Sequence, residues 1–116
     1  MSDKDYCDYD TCVALYELGL SFEYATQKFD RNILSNRYEE IPRPLIYETQ
    51  KWLREEKNLA VYPFLLNNGN WVSMCRDLRY GFNIDIATPQ FDLYEDSLLN
   101  GIKEVVKYMV TGKYEE

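Results

Sequence analysis

Residues 47–71 read YETQKWLREEKNLAVYPFLLNNGNW, and the change of rhythm inside them decides the fold. Up to Lys57 the apolar residues recur at helical spacing. Leu45, Ile46, Thr49, Trp52, Leu53 and the stem of Glu56 share one side of a helix expected over residues 45–57. Glu48, Lys51, Arg54, Glu55 and Lys57 fill the other side. Pro42 and Pro44 stop any helix from running in from upstream, and Pro44 suits a first helical turn. Asn58 tolerates the left-handed conformation that ends a helix. From Leu59 the period shortens: LAVYPFLL is too brief and too uniformly apolar for a surface helix and reads as a strand.

The next four residues, NNGN, contain Asn68-Gly69, the pair favoured in two-residue type I′ hairpins. That turn would set Leu66 against Trp71, Leu65 against Val72 and Tyr62 against Cys75. Pro63 cannot donate to a ladder, so its strand belongs at a sheet edge or a bulge. FNIDIAT, residues 82–88, alternates with Phe82, Ile84 and Ile86 inward and Asn83 and Asp85 outward.

Working outward, Asp8 is placed to cap a helix over residues 9–18, with Cys12, Leu15 and Leu18 near one face and Gly19 as its left-handed stop. SFEYATQKFD, residues 21–30, reads as a strand from its aromatic and β-branched content. Residues 30–41 have no clear period and read as a loop or irregular hairpin. Asp92 and Glu95 form a D-x-x-E capping box that opens a third helix near residue 93, carrying Leu98, Ile102, Val105 and Met109 as its stripe. Gly101 weakens that helix by about 1 kcal/mol relative to alanine, which suits close seating on a sheet. Gly112 ends it. The expectation is one α+β domain over residues 1–116, with 1–7 and 112–116 frayed. Its sheet is small, antiparallel-rich and of about four strands, with three helices mainly on one face.

Composition narrows the chemistry. The chain has 116 residues, 13 bases against 20 acids, no histidine and three cysteines. Without histidine there is no Ser-His or Cys-His pair, and three thiols do not complete a four-ligand structural zinc site. Cys12 fits a small core residue better than a nucleophile. Asp3, Asp5, Asp8 and Asp10 resemble the start of a calcium loop, but the positions that need glycine and glutamate hold Asp8 and Ala14. Glu39-Glu40 and Glu55-Glu56 are adjacent pairs whose side chains should diverge. No glycine-rich phosphate loop occurs. No cofactor or metal is therefore expected, and no enzyme constellation is present. The acidic N-terminus lacks a signal peptide's apolar core, no apolar run approaches membrane-spanning length, and free thiols suit a reducing cytoplasm.

The charge is uneven. Residues 1–30 carry seven acids against Lys4 and Lys28, and residues 91–116 carry six against Lys103, Lys107 and Lys113, while residues 31–90 are nearly neutral. An acidic whole repels phosphate backbones. The first expectation is thus a non-enzymatic binding protein whose partner is another protein with a basic surface, met by Asp3, Asp5, Asp8, Asp10, Glu95 and Asp96. Homo-oligomerisation is left open. The alternative is a single-stranded nucleic-acid binder using Arg31, Arg37, Arg43, Arg76 and Arg79 with Tyr38, Tyr47, Tyr62, Trp71 and Tyr80.

The segments PLIYETQKWLREEKNLAVYPF and LYEDSLLNGIKEVVKYM, together with Gly19, resemble short acidic proteins of gut Bacteroides, related bacteria and their phages. In those proteins a threonine often stands where this chain has Leu45, to cap the second helix. The resemblance implies a single intracellular domain of mobile-element origin and brings no known activity. Its sharper form is a phage or mobile-element modulator of a host protein.

Overall fold

The computed structural model describes residues 5–25, 27–34, 37–86 and 88–111, with the side chains of 31–34 and 37 outside the described set. The elements run α1 (Tyr9–Glu17), a 3-10 turn (Phe22–Tyr24), β1 (Gln27–Leu34), β2 (Arg37–Arg43), α2 (Ile46–Glu56), β3 (Leu59–Leu65), β4 (Trp71–Asp77), β5 (Phe82–Ile84) and α3 (Tyr94–Thr111). The fold is α+β with three helices. Its five strands form two antiparallel sheets rather than one, a β1-β2 hairpin and a three-stranded sheet ordered β3-β4-β5.

Helix α1 ends as its sequence demands. Gly19 takes φ +107°, its N–H donates to the Tyr16 carbonyl, and the Leu20 N–H donates to that of Leu15. This double bond is a Schellman stop, and it drives Leu20 into the core. Asp8 stands at the N-cap, but its Oδ1 accepts from the Thr11 hydroxyl at 2.7 Å instead of from the backbone. The polypeptide before it is tied down: Tyr6 bridges Leu45, and the Cys7 N–H donates to Pro44.

The segment expected as a strand over 21–30 starts as a 3-10 turn, and its strand begins only at Gln27. Of residues 30–41, the described ones, 30–34 and 37–41, belong to the antiparallel pair β1-β2, whose register slips between Asn32 and Leu34. Phe29 opposite buried Ile41 anchors the base of the hairpin, whereas Lys28 and Glu40 pair on its exposed surface. Only Ile41 and Pro42 of the described side chains in these strands are buried, and no alternation marks them in the sequence.

Helix α2 buries Ile46, Thr49, Trp52 and Leu53. Glu56, expected to lay its stem on that side, is exposed. The helix starts after Pro44, with Leu45 at the N-cap. Leucine has no acceptor to offer, so only half a capping box exists: Glu48 Oε1 accepts from the Leu45 N–H at 2.8 Å. Asn58, at φ +58°, provides the expected left-handed exit. The third helix departs from expectation in the same way. The Ser97 N–H donates to Leu93, which makes Leu93 rather than Asp92 the N-cap.

The central hairpin is where the sequence misleads. Val61 faces Cys75, Tyr62 faces Met74 and Leu65 faces Trp71, one residue away from the type I′ register. The Gly69 N–H donates to Leu66 and the Leu66 N–H donates to Asn70, so a three-residue loop joins the strands. Asn68 is not at positive φ; Gly69 alone is, at +87°. This is a type I turn closed by a left-handed glycine, the next most common hairpin solution. The shift matters because a one-residue slip exchanges the faces of a strand. As it stands, Val61 and Cys75 point together into the core. Pro63 sits on the edge strand β3, as expected. β5 is short, and Phe82, expected inward, is exposed and stacks on Tyr80 with ring centroids 5.8 Å apart. Ile84 and Ile86 are half-buried.

Helix α3 lies across β3 and β4, burying Leu98, Ile102, Val105 and Val106, with Met109 at the margin. Its glycine is seated on the sheet, since a Cβ at Gly101 would fall 2.5 Å from Ser73 Cβ and 3.0 Å from Val61 Cγ1. The helix end expected at Gly112 lies outside the described residues.

The turn geometry gives a paired test. Gly69→Val should lower stability by about 1–2 kcal/mol, because a β-branched residue resists positive φ. Asn67→Pro should be neutral or stabilising, since Asn67 is the first central residue of a type I turn and proline is favoured there. Denaturation midpoints of the two variants check both. Loss of stability in Asn67→Pro would return the hairpin to the two-residue register.

Candidate functional site

Three of the acidic residues singled out in the sequence, Asp5, Glu95 and Asp96, lie by the start of α2 or in the first turn of α3. Tyr6 bridging Leu45 brings the segment before α1 against the start of α2, and α3 packs on both α1 and α2. Tyr47, on the first turn of α2, donates its hydroxyl to Glu95 Oε1 at 3.3 Å. Its pKa is pushed up by burial, then by Glu95, with Asp5 adding to the effect. Asp5, set by the start of α2 through the Tyr6–Leu45 bridge, and Glu95 thus both act on this phenol although 90 residues separate them. Asp96 stands beside Glu95, exposed, in the first turn of α3, where its charge also suits the helix dipole.

Asp8 and Asp10 border a different feature. They line an open groove of about 370 Å³ between α1 and α3, floored by Ala14, Val106 and Val110 and flanked by Lys103 and Lys107. Asp8 Oδ1 lies 3.3 Å from Lys103 Nζ. Partial burial raises the Asp8 pKa, but the Thr11 hydroxyl and Lys103 outweigh it and hold the carboxyl below its ordinary value. These acids thus fall in two places: Asp5 and Glu95 by Tyr47, with Asp96 next to Glu95 in α3, and Asp8, paired with Lys103, with Asp10 along the groove. Asp3 lies outside the described residues.

A third acidic location was missed in the sequence. Glu55 and Glu56, expected to diverge, both accept from the Tyr24 hydroxyl, at 3.1 and 3.0 Å. Burial and these two carboxylates push that hydroxyl up to about 12. Tyr24 and Glu56, with Glu23 and Lys57, border a cleft of about 340 Å³ beside Trp52, whose ring lies 5.4 Å from Lys57 Nζ. Tyr24 is 31 residues from Glu55 in sequence, so only the Schellman reversal at Gly19 brings them together.

The arginine and aromatic set does not assemble into one surface. Arg43 is boxed between Tyr6 and Phe29, 4.3 and 4.9 Å from their ring centroids. Arg79 grips buried Asp77 through both carboxylate oxygens, at 3.3 and 3.1 Å, and holds that carboxyl below its ordinary pKa. Trp71 turns edge-on to Tyr94 of α3, with centroids 5.2 Å apart. Tyr38 and Tyr80 are exposed at separate turns, and the side chains of Arg31 and Arg37 are outside the described set.

The thiols are core groups. Cys7, Cys12 and Cys75 are each buried, and burial pushes each of them up to about 12. Cys7 Sγ lies 3.3 Å from Thr49 Oγ1, and the Cys12 thiol donates to the Cys7 carbonyl. Among the described residues, no group of three or more cysteine, aspartate or glutamate side chains could hold a metal ion, and no helix is long and apolar enough to cross a membrane.

A thiolate is the reactive form, so these pKa values make the native cysteines inert at neutral pH. A colorimetric disulfide reagent should react with three thiols in denaturant, and in native buffer at pH 7.5 at least about a hundredfold more slowly. Rapid labelling of Cys12 in the folded protein would contradict its placement. Compared with known proteins, the chain matches no family model, no curated protein and no solved structure.

Proposed function

We propose that the protein is a non-enzymatic binding protein that docks its acidic side on a basic surface of a larger protein. What supports this is that the Tyr6–Leu45 bridge sets Asp5 by the start of α2, where Tyr47 reaches Glu95 next to Asp96, while Asp8 and Asp10 line the groove between α1 and α3. These carboxylates sit on helix starts and their flanks, a fixed frame that costs little ordering on binding. A net charge of −7 steers a positive patch toward them, with an on-rate that falls as salt rises. The resemblance to short proteins of gut Bacteroides and their phages directs the proposal to a host protein as target, in a reducing cytoplasm. The core placement of all three thiols agrees with a role that needs no nucleophile.

The test compares two variants of equal charge. Asp5→Asn, Glu95→Gln and Asp96→Asn together should weaken binding to a lysine- and arginine-rich probe peptide at 50 mM salt by about tenfold. Neutralising Glu39, Glu40 and Asp85 instead should change it by less than about threefold. Equal losses would mean that net charge alone attracts the probe. Micromolar binding of a labelled single-stranded oligonucleotide by the unaltered protein would overturn the proposal and favour the arginine and tyrosine residues of the middle segment.

A further inference from the structure

The three-stranded sheet has helices on one face. α3 packs on β3 and β4 from the side to which Val61 and Ser73 point, since a Cβ at Gly101 would collide with both, and α2 packs on β3 and α3, its Leu53 sharing the core with Leu59 and Val61. Strand alternation therefore turns Ala60, Tyr62 and Phe64 of β3, and Val72, Met74 and Arg76 of β4, to the opposite face. Among the described residues, no helix or strand packs over that side in more than passing contact. Phe64 is 52% exposed there, and Tyr62, Val72 and Met74 are only half-buried.

The charge on this face differs from that of the rest of the chain. The residues that β3, β4 and β5 present on it include no acid; Asp85 stands just past β5, at its border. Arg76 is exposed beside Gly81, and among the described residues no carboxylate pairs with it. The register then makes the face complementary to itself. Tyr62 opposite Met74 is its centre, Phe64 opposite Val72 one end, and Ala60 opposite Arg76 the other. Four residues separate Val72 from Arg76 along β4, roughly 13 Å at strand spacing. A two-fold axis across the strands at the central pair would lay each Arg76 over the Val72–Phe64 end of the other copy. The guanidinium would meet an aromatic ring, and Tyr62 and Met74 would pack against their counterparts.

We propose that this face is a homodimer interface, occupied by a second copy of the chain packed sheet to sheet. Two chains of net charge −7 repel wherever their acids meet, and an acid-free face lets them approach. The dimer is independent of the acidic side and would carry two copies of it, so a partner with two basic patches would be bound with avidity.

Sedimentation equilibrium of the intact protein alone tests this, without any docking partner. At about 100 µM and 150 mM salt the mass should be twice 13.9 kDa. Met74→Asp, which plants a charge at the centre, should return the mass of one chain while keeping the native circular dichroism spectrum. Arg76→Glu should weaken the dimer by at least about tenfold, and the Asp5, Glu95 and Asp96 neutralised variant should dimerise at least as well as the unaltered protein. A single-chain mass for the unaltered protein at this concentration would overturn the proposal. So would dimers of undiminished strength in both Met74→Asp and Arg76→Glu.

Discussion

The structure depends on how close α3 comes to the sheet. At Gly101 the helix backbone rests on Ser73 and Val61, with no room for a methyl group. The contact is polar as well as steric: the Ser73 hydroxyl donates to the Ser97 carbonyl at 2.5 Å and lies 3.2 Å from the Ser97 hydroxyl. A buried serine pair needs such partners, because an unpaired hydroxyl in a core costs free energy. This seating brings Leu98, Ile102 and Val105 into the core with Leu59, Val61 and Cys75. It also sets the start of α3 beside α2, where Tyr47 reaches Glu95, and the middle of α3 beside α1, where Lys103 reaches Asp8. The geometry of the acidic side follows from one glycine.

Function divides along the same line. Packing α3 on one face of the three-stranded sheet leaves the other face uncovered among the described residues, and Asp5, Asp8, Asp10, Glu95 and Asp96 ride on helices and their flanks. On the open face of the sheet, β3, β4 and β5 present no acid. The proposed docking on a basic protein and the proposed pairing with a second copy would use different surfaces, so neither would require the other to give way.

Much of this was legible in residues that act locally. Gly19, Asn58 and Gly69 mark the left-handed positions, Trp52 is core, Pro63 lies on an edge strand, and Gly101 seats a helix. The failures share a cause, which is that tertiary contacts settled what local patterns left balanced. Asn68-Gly69 suits two hairpin loops, and the choice between them fell to the register that buries Val61 with Cys75. Both N-caps fell on leucines, Leu45 and Leu93, where capping preference expects a polar residue. The β1-β2 hairpin left no alternation to read. For the acids the residue types were evident in the sequence, but not their partners: Tyr47 for Glu95, Lys103 for Asp8, and Tyr24 for Glu55 and Glu56.

The central claim is that the approach of α3 at Gly101 holds the fold together, and a double-mutant cycle tests it most directly. Helix propensity alone says that Gly101→Ala should stabilise by about 1 kcal/mol. The contact with Ser73 says the reverse, a loss of about 2–3 kcal/mol from overpacking. Ser73→Gly removes the obstructing atoms, so in its background Gly101→Ala should cost at least about 1 kcal/mol less than it does alone. Chemical denaturation of the four proteins gives the coupling. Gly101→Ala as stable as the unaltered protein, or additive with Ser73→Gly, would contradict the account.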